Sequence, residues 1–172
     1  VYNRLSAHGF KPSFAVADNQ ASPAIKSFMQ ARGGQVQFVE PNNHRVNAAE
    51  RAIQTFKSHL IAVIAGLDEK FPIHEWHRII PQTLLTLNLL RPSNVSPNVS
   101  AYAHHHGQFD YNRMPLAPIG CAVQLHEKPK RRKTFGEHSE DGFYLRTSEE
   151  HYRMHVIFVK KSKAKRLSDT VF

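Results

Sequence analysis

Two carboxylates stand where this chain could hold a metal ion. Asp18 follows the apolar run Phe14–Ala17, and Glu50 stands at the start of an amphipathic segment. Between them lie 31 residues, the length of a helix and a strand, so a crossover can bring both acids to one edge of a sheet. Phosphoryl transfer with two metal ions needs oxygen ligands from several carboxylates on rigid elements. The pair therefore indicates metal-assisted phosphoryl chemistry.

Each acid also has an ordinary structural explanation. An Asp after a strand is commonly a turn residue, and a Glu in a first helical turn is favoured by the helix dipole. Gln54 and Lys57, however, follow Glu50 at helical spacing on the same face. A metal ligand, a polar group and a cation would project together, which suits a phosphate backbone lying across a metal site. His44 and Arg45 precede this segment and add positive charge beside the acids.

The segments around the acids predict an α/β unit. Phe14–Ala17 predicts a buried strand, and the run from Val36 to Val39 predicts a second one. Ser22-Pro23 starts a helix between them, and Gly33-Gly34 ends it. This order is typical of parallel sheets. A long helix follows, and apolar residues at spacings of three and four predict its buried face: Ala49, Ile53, Phe56, Leu60, Val63 and Leu67.

The remainder of the chain changes in composition at two points, near residues 92 and 120. Residues 73–90 predict another helix, which Pro81 must kink or divide. Four prolines fall within residues 92–118, which predicts a linker or irregular arm. Beyond Gly120 a small β module is predicted from short apolar runs between basic clusters, at 121–125, 142–145 and 155–159.

The composition of the chain indicates which class of molecule it binds. The chain has 172 residues, 41% of them apolar, and a formal net charge of +9, so a polyanion is the leading partner; a merely soluble basic protein is the alternative. With Cys121 as its one cysteine, the chain can form neither an internal disulfide nor a cysteine-rich zinc site. No apolar stretch reaches the ~18 residues of a transmembrane helix.

Two basic runs fall in the predicted β module. The second begins with Lys160 and Lys161 and continues to Arg166. Either run could be solvated surface or a nuclear address, but beside a metal site contact with DNA phosphates is the favoured interpretation. The first run consists of Lys128, Lys130, Arg131, Arg132 and Lys133.

Several short motifs occur along the chain, and their order identifies a family more specifically than any one of them does. The early ones are Ala17-Asp18-Asn19, Pro41 and Asn47-Ala-Ala-Glu50-Arg51. The later ones are Trp76, Asn88-Leu-Leu-Arg-Pro92, Ser96-Pro97, Gly120-Cys121, Arg132-Lys133, Gly142-Phe-Tyr and Asp169-Thr-Val-Phe172. In these motifs residues 9–172 resemble the integrase of copia-like LTR retrotransposons, which is part of a Gag-Pol polyprotein.

The resemblance implies an α/β fold, with a truncated ribonuclease H-like integrase core followed by a small, mainly β basic module. Residues 1–91 would be the C-terminal part of the catalytic core, 92–119 a linker or irregular arm, and 120–172 the β module. The core would hold two Mg²⁺ (or Mn²⁺) ions on three acids, two of which are Asp18 and Glu50.

The resemblance also implies a polynucleotidyl transferase and endonuclease that acts in the nucleus of a eukaryotic host. Water would attack near the 3′ end of the element's DNA, and the freed 3′ hydroxyl would then attack host DNA in line. The partners would be DNA and further copies of the integrase, with no membrane. Arg45, Arg51, Gln54 and Lys57 would contact DNA together with the cations of the two basic runs.

Residues 1–17 contain no Asp or Glu. We therefore expect the first catalytic Asp to precede this chain, and the chain alone to be inactive. The alternative is a catalytically inactive DNA-binding remnant of a decayed or truncated element.

Overall fold

A computed structural model describes residues 2–17, 22–39, 48–128, 132 and 134–172. The chain divides into two compact units, residues 1–57 and 58–172. This division falls inside a helix, whereas the predicted domain boundary lies between residues 91 and 92. The predicted domains therefore stay a prediction.

The first unit contains the predicted strand–helix–strand arrangement. Helix α1 (Tyr2–Ala7), which was not predicted, precedes strand β1 (Phe14–Ala17). Helix α2 (Pro23–Gln30) connects β1 to strand β2 (Gln35–Phe38). The two strands are parallel, as predicted, with Ala17 paired to Phe38 at their C-terminal ends.

The start of α2 follows from its sequence. The hydroxyl of Ser22 accepts a hydrogen bond from the Ala24 amide at 3.2 Å, and Pro23 occupies the first helical position. Proline is well suited there because that position has no helical acceptor for an N–H. The predicted helix start is therefore confirmed.

The prediction that β1 is buried was wrong. Phe14 is 53% exposed and Val16 is 50% exposed. Among the described residues this sheet consists of β1 and β2 alone, which is too small a sheet to shield these side chains. An apolar run predicts burial only where a covering layer exists.

Helix α3 (Ala48–Ala65) confirms the predicted long helix, but only part of its apolar face is covered. Leu60, Val63 and Leu67 pack against the core of the second unit. Ile53 is 54% exposed. The predicted apolar face is thus partly buried in the later turns, whereas Ala49 and Ile53 in the earlier turns are exposed.

Proline divides the next predicted helix, as expected. A 3-10 helix (Ile73–Ile79) is followed by helix α4 (Ile80–Leu90), with Pro81 in its first turn. The predicted irregular arm contains one short helix, α5 (Ala101–His106). No helix in the described residues is long and apolar enough to cross a membrane.

An antiparallel sheet completes the second unit. Its strands are β3 (Ala122–His126), β4 (Ser139–Thr147), β5 (His155–Val159) and β6 (Ala164–Ser168), paired in chain order. The first three match the predicted strands, and β6 was not predicted. The chain is therefore mixed α/β with a small antiparallel sheet.

Both faces of this sheet contribute to a core. One face contributes Phe143, Leu145, Val156 and Phe158, which pack with Phe71 and Ile79 from the helical part of the unit. The other face contributes Leu125, Tyr144, Ile157 and Val159. The first face therefore shares a core with the helical part of this unit, and the second face forms a separate core cluster.

One hydrogen bond and one close approach between strands stabilise the packing of this sheet. The buried Gln82 side chain in α4 accepts a hydrogen bond from the Thr147 amide of β4 at 3.1 Å. Gly142 lies so close to β5 that a Cβ there would stand 2.7 Å from the Phe158 carbonyl oxygen. The glycine of the Gly142-Phe-Tyr motif is therefore required by strand packing.

Candidate functional site

Glu50 lies in the first turn of α3, where the positive end of the helix dipole stabilises a carboxylate. Its side chain is half-buried. Gln54 and Lys57 follow one and two turns later in the same helix, and both are exposed. The three residues therefore lie on one face of α3, at the spacing that the sequence predicts. This face presents an acid, an amide and an ammonium group in a row.

Five of the predicted site residues lie outside the described residues, and two of them, Asp18 and Arg45, belong to the first unit. Asp18 follows Ala17, the last residue of β1. Because β1 and β2 are parallel and Ala17 pairs with Phe38, both strands end at the same edge of the sheet. The chain continues from that edge to Asp18 and, after β2, toward α3.

The described residues supply one carboxylate toward the predicted metal site. Asp18, Glu40 and Glu50 are the acidic residues of positions 1–57, and Glu50 is the one that the structure describes. No group of three or more His, Cys, Asp or Glu side chains is clustered within the described part of the chain. A half-buried carboxylate at a helix start fits one ligand of a hard cation, while Mg²⁺ needs further oxygen ligands. The metal site stays a prediction.

Arg51, the predicted DNA contact beside Glu50, is exposed. Its carbonyl oxygen accepts a hydrogen bond from the Thr55 hydroxyl at 2.8 Å, a bond within the helix. That bond involves only the backbone of Arg51, and its side chain lies on the exposed surface of α3, where a phosphate could reach it.

The first basic run is only partly described, since Lys130, Arg131 and Lys133 lie outside the described residues. Lys128 is exposed. Arg132 is half-buried: its Nε donates to the Glu127 carbonyl oxygen at 2.6 Å, and its Nη2 lies 3.1 Å from His126 Nε2. The Arg132 side chain thus stabilises the loop that contains it, whereas the Lys128 side chain faces solvent.

The second basic run divides in the same way. The Lys160 ammonium lies 4.6 Å from the ring centroid of Phe143, within cation–π range, and the side chain is half-buried. Lys161, in the turn before β6, is exposed. The structure therefore leaves Lys161 more available to a phosphate than Lys160.

Arg166, the last residue of that run, pairs with two glutamates. Its Nη1 donates to Glu140 Oε2 at 2.7 Å, and its Nη2 donates to Glu127. The three side chains are 17–23% exposed. Arg166 therefore joins β6 to the ends of β3 and β4, and its charge is offset internally.

A groove of about 1150 Å³ brings three predicted DNA contacts together. Arg132, Lys160 and Lys161 line it. Four carboxylate residues line it as well: Glu127, Glu137, Glu140 and Asp141. Since Arg166 pairs with two of these acids, the groove carries nearly balanced charge. A polyanion would therefore gain more at the exposed Lys128 and Lys161 than at the half-buried Arg132 and Lys160.

Replacing Arg166 tests the ion-pair group. We expect Arg166→Met to lower the free energy of unfolding by about 2 kcal/mol, between the values for exposed and buried pairs, because two partly buried carboxylates lose their partner. Urea denaturation followed by circular dichroism measures the change. Lys165→Met, at the exposed neighbour, is the matched control and should change stability by less than about 0.5 kcal/mol. Equal losses in both variants would contradict the assignment.

Sequence reasoning missed the role of Arg166. In the sequence it is one of several basic residues between Lys160 and β6, and nothing distinguishes it from Lys165. The alternation of side chains along β6 separates them. Arg166 lies opposite Ile157, on the sheet face that also carries Leu125, while Lys165 lies opposite Phe158. Only the strand register reveals which cation is paired.

Comparisons with known proteins include a distant structural similarity. No protein-family model matches the chain, and no curated protein matches it. A solved structure described as the cryo-EM structure of the simian T-cell lymphotropic virus intasome in complex with PP2A regulatory subunit B56 gamma contains a similar chain, with 16% identity and a TM-score of 0.43. The similarity covers 96% of this chain and 58% of that chain. A likeness of this extent carries no conclusion about function.

Proposed function

We propose that this chain works in DNA integration, as the later part of the catalytic core of a copia-like retrotransposon integrase together with its basic β module. Asp18 and Glu50 would hold Mg²⁺ or Mn²⁺, which supplies activation of the attacking oxygen and stabilisation of the leaving one. The complete enzyme would process the 3′ ends of element DNA and join them to host DNA, in the nucleus and as a homo-oligomer.

The order of elements in the first unit carries this proposal. A parallel β1–α2–β2 unit precedes α3, and Glu50 stands in the first turn of α3. Asp18 follows the end of β1 in the sequence. An acid after a strand end and an acid in the first turn of a helix are both held by rigid elements, which is what two ligands of one metal ion would need.

The exposed apolar faces of the first unit also support the proposal. Parallel sheets are normally covered on both faces, yet Phe14 and Val16 of β1 are half-exposed. We infer that β1 and β2 are neighbouring strands of a larger sheet, as a ribonuclease H-like core requires. In such a sheet the end of β1, and so Asp18, would lie beside further strands.

A second candidate is DNA binding without catalysis. The absence of Asp and Glu from residues 1–17 favours it for the chain taken alone. Both candidates require affinity for DNA, and they differ in turnover. Strand transfer by the complete integrase therefore separates them, whereas DNA affinity of the chain tests what they share.

DNA affinity should depend steeply on salt concentration. Each phosphate contact contributes about −0.9 to the slope of log affinity against log salt. We expect the double variant Lys128→Gln, Lys161→Gln to make the slope shallower by about 2, because these two cations are exposed and form no salt bridge with a described carboxylate. Fluorescence anisotropy with a labelled duplex, repeated across salt concentrations, measures the slope.

The control removes the same charge elsewhere. Lys11 and Lys26 are exposed lysines of the first unit, and the double change Lys11→Gln, Lys26→Gln should leave the slope unaltered. A flat salt response of the unchanged chain would overturn the proposed DNA binding. A slope that changes equally in both double variants would overturn the assignment to Lys128 and Lys161.

A further inference from the structure

A row of four rings lies in the arm between α4 and β3. Tyr102 lies 4.9 Å from His106 and 5.3 Å from Phe109, and Phe109 lies 4.8 Å from Tyr111, measured between ring centroids. We refer to these four residues as the aromatic cluster. Tyr111, at one end, is 60% exposed. The cluster thus presents ring surface to solvent without being part of either core.

Helix α5 fixes the first two rings. Its N-terminus is capped by Ser100, whose hydroxyl accepts from the Ala103 amide at 3.0 Å. Gly107 ends the helix with a φ of 78°, and its amide donates to the Ala103 carbonyl at 3.0 Å. Tyr102 and His106 are four residues apart in this helix, so the helix holds their rings side by side.

A tight turn fixes the exposed end of the cluster. The Asp110 carboxylate accepts hydrogen bonds from the amides of Asn112 and Arg113 at 2.9 and 3.0 Å. The Met114 amide donates to the Asp110 carbonyl at 3.0 Å. Tyr111 lies inside this turn, whose hydrogen bonds fix its backbone. A ligand that binds the Tyr111 ring would therefore not have to order this segment.

Two arginines flank the turn. The Arg153 amide donates to the Arg113 carbonyl at 2.9 Å, and the Arg153 guanidinium donates to the Asn112 carbonyl at 3.1 Å. The Arg113 guanidinium donates to the Glu149 carbonyl at 3.4 Å. These partners are uncharged carbonyls, and neither arginine forms a salt bridge with a carboxylate of the described residues. Both positive charges remain available to an anion.

Two acids, Asp110 and Glu149, lie beside these arginines, and neither forms a salt bridge with them among the described residues. The Asp110 carboxylate accepts the amides of its own turn. Glu149 lies near Tyr102, and burial together with this carboxylate raises the pKa of Tyr102, so the phenol stays neutral. The cluster therefore combines neutral rings with two guanidinium groups that are held beside it.

Exposed rings next to guanidinium groups are the chemistry that single-stranded nucleic acids require. Unpaired bases stack on aromatic side chains, and cations contact the backbone between them. In a duplex the base faces are already stacked and cannot reach such rings. We propose that the aromatic cluster binds unpaired bases of single-stranded DNA, with Arg113 and Arg153 at the phosphates. This inference takes its substrate class, DNA, from the proposed function.

The test compares single-stranded with duplex DNA. Labelled oligothymidine, longer than a site of about 4–16 nucleotides, is titrated with the full chain and with Tyr111→Ala, Tyr111→Phe and Phe172→Ala. Tyr111→Ala should lose about tenfold in affinity for the single strand, the expected value of one stacked base, and should bind duplex as the unchanged chain does. Tyr111→Phe keeps a ring and should retain the affinity. Phe172→Ala removes an exposed ring outside the cluster and should change nothing.

Each outcome has one meaning. If the chain binds DNA but Tyr111→Ala matches Phe172→Ala on the single strand, the aromatic cluster is not a stacking surface and the proposed function stands. If Tyr111→Ala weakens duplex and single strand alike, base stacking is also wrong. If the unchanged chain binds neither form of DNA, the proposed function fails together with this inference. Thermal melting of each variant confirms that the exposed replacements remain folded.

Discussion

Glu50→Gln should abolish strand transfer by the complete integrase, with a loss of at least about a hundredfold. A neutral amide keeps the shape of the carboxylate but loses the charge that a hard divalent cation requires. Outer-shell partners of metal sites already contribute about 10–100-fold, so a direct ligand should contribute more. The change should leave α3 intact, because a charge in the first turn of a helix contributes only about 0.3–1 kcal/mol.

The matched control for this prediction is Glu150→Gln. Glu150 is exposed on the second unit, and the same loss of charge there should leave strand transfer within about twofold of the unchanged enzyme. Undiminished strand transfer in Glu50→Gln would exclude Glu50 as a metal ligand. Duplex affinity, measured in parallel, should stay the same in both variants, which separates loss of catalysis from loss of DNA binding.

Metal binding gives a readout that does not depend on turnover. Mn²⁺ can be titrated into the chain itself and followed by electron paramagnetic resonance, which detects free and bound ions separately. We expect weak binding by the unchanged chain, weaker binding by Glu50→Gln and also by Asp18→Asn, and no change in Glu150→Gln. Equal Mn²⁺ binding by all four proteins would mean that Asp18 and Glu50 do not share an ion.

Local sequence signals predicted individual elements of the first unit well and their burial poorly. Ser22 and Pro23 start α2 through contacts within a few residues, so the helix follows from the sequence alone. The exposure of Phe14 depends instead on which elements cover β1, and these are not encoded near Phe14. An apolar run reports a preference for burial, and tertiary structure decides whether that preference is met.

Charge patterning had a similar limit in the second unit. The basic runs identified where cations concentrate, but not which cations are already engaged. Lys160 stacks on Phe143, Arg132 fastens its own loop, and Arg166 pairs with two glutamates distant in sequence. The partners of Lys160 and Arg166 come together only through the antiparallel register of β3 to β6. The sequence therefore overstated the number of lysines and arginines available for DNA.

The largest loss of stability should come from Phe143→Ala. Phe143 is fully buried in the core that the sheet shares with the helices, and its ring meets Phe71 edge to face at 5.3 Å. The Lys160 ammonium covers the ring at 4.6 Å. Truncation would remove these contacts and leave a cavity, at a cost of about 3–5 kcal/mol. Small domains have only about 5–15 kcal/mol of stability, so the variant should be partly unfolded at physiological temperature.

Trp76 makes this prediction measurable for the second unit by itself. It is the one tryptophan of the chain and belongs to that unit, so its fluorescence during urea denaturation follows the unit that contains Phe143. Phe135→Ala is the control, because Phe135 is fully exposed and its loss should cost less than about 0.5 kcal/mol. Phe143→Leu should fall between the two, since it keeps most of the buried volume. If Phe143→Ala and Phe135→Ala unfold at the same urea concentration, the sheet and the helices do not depend on a common core.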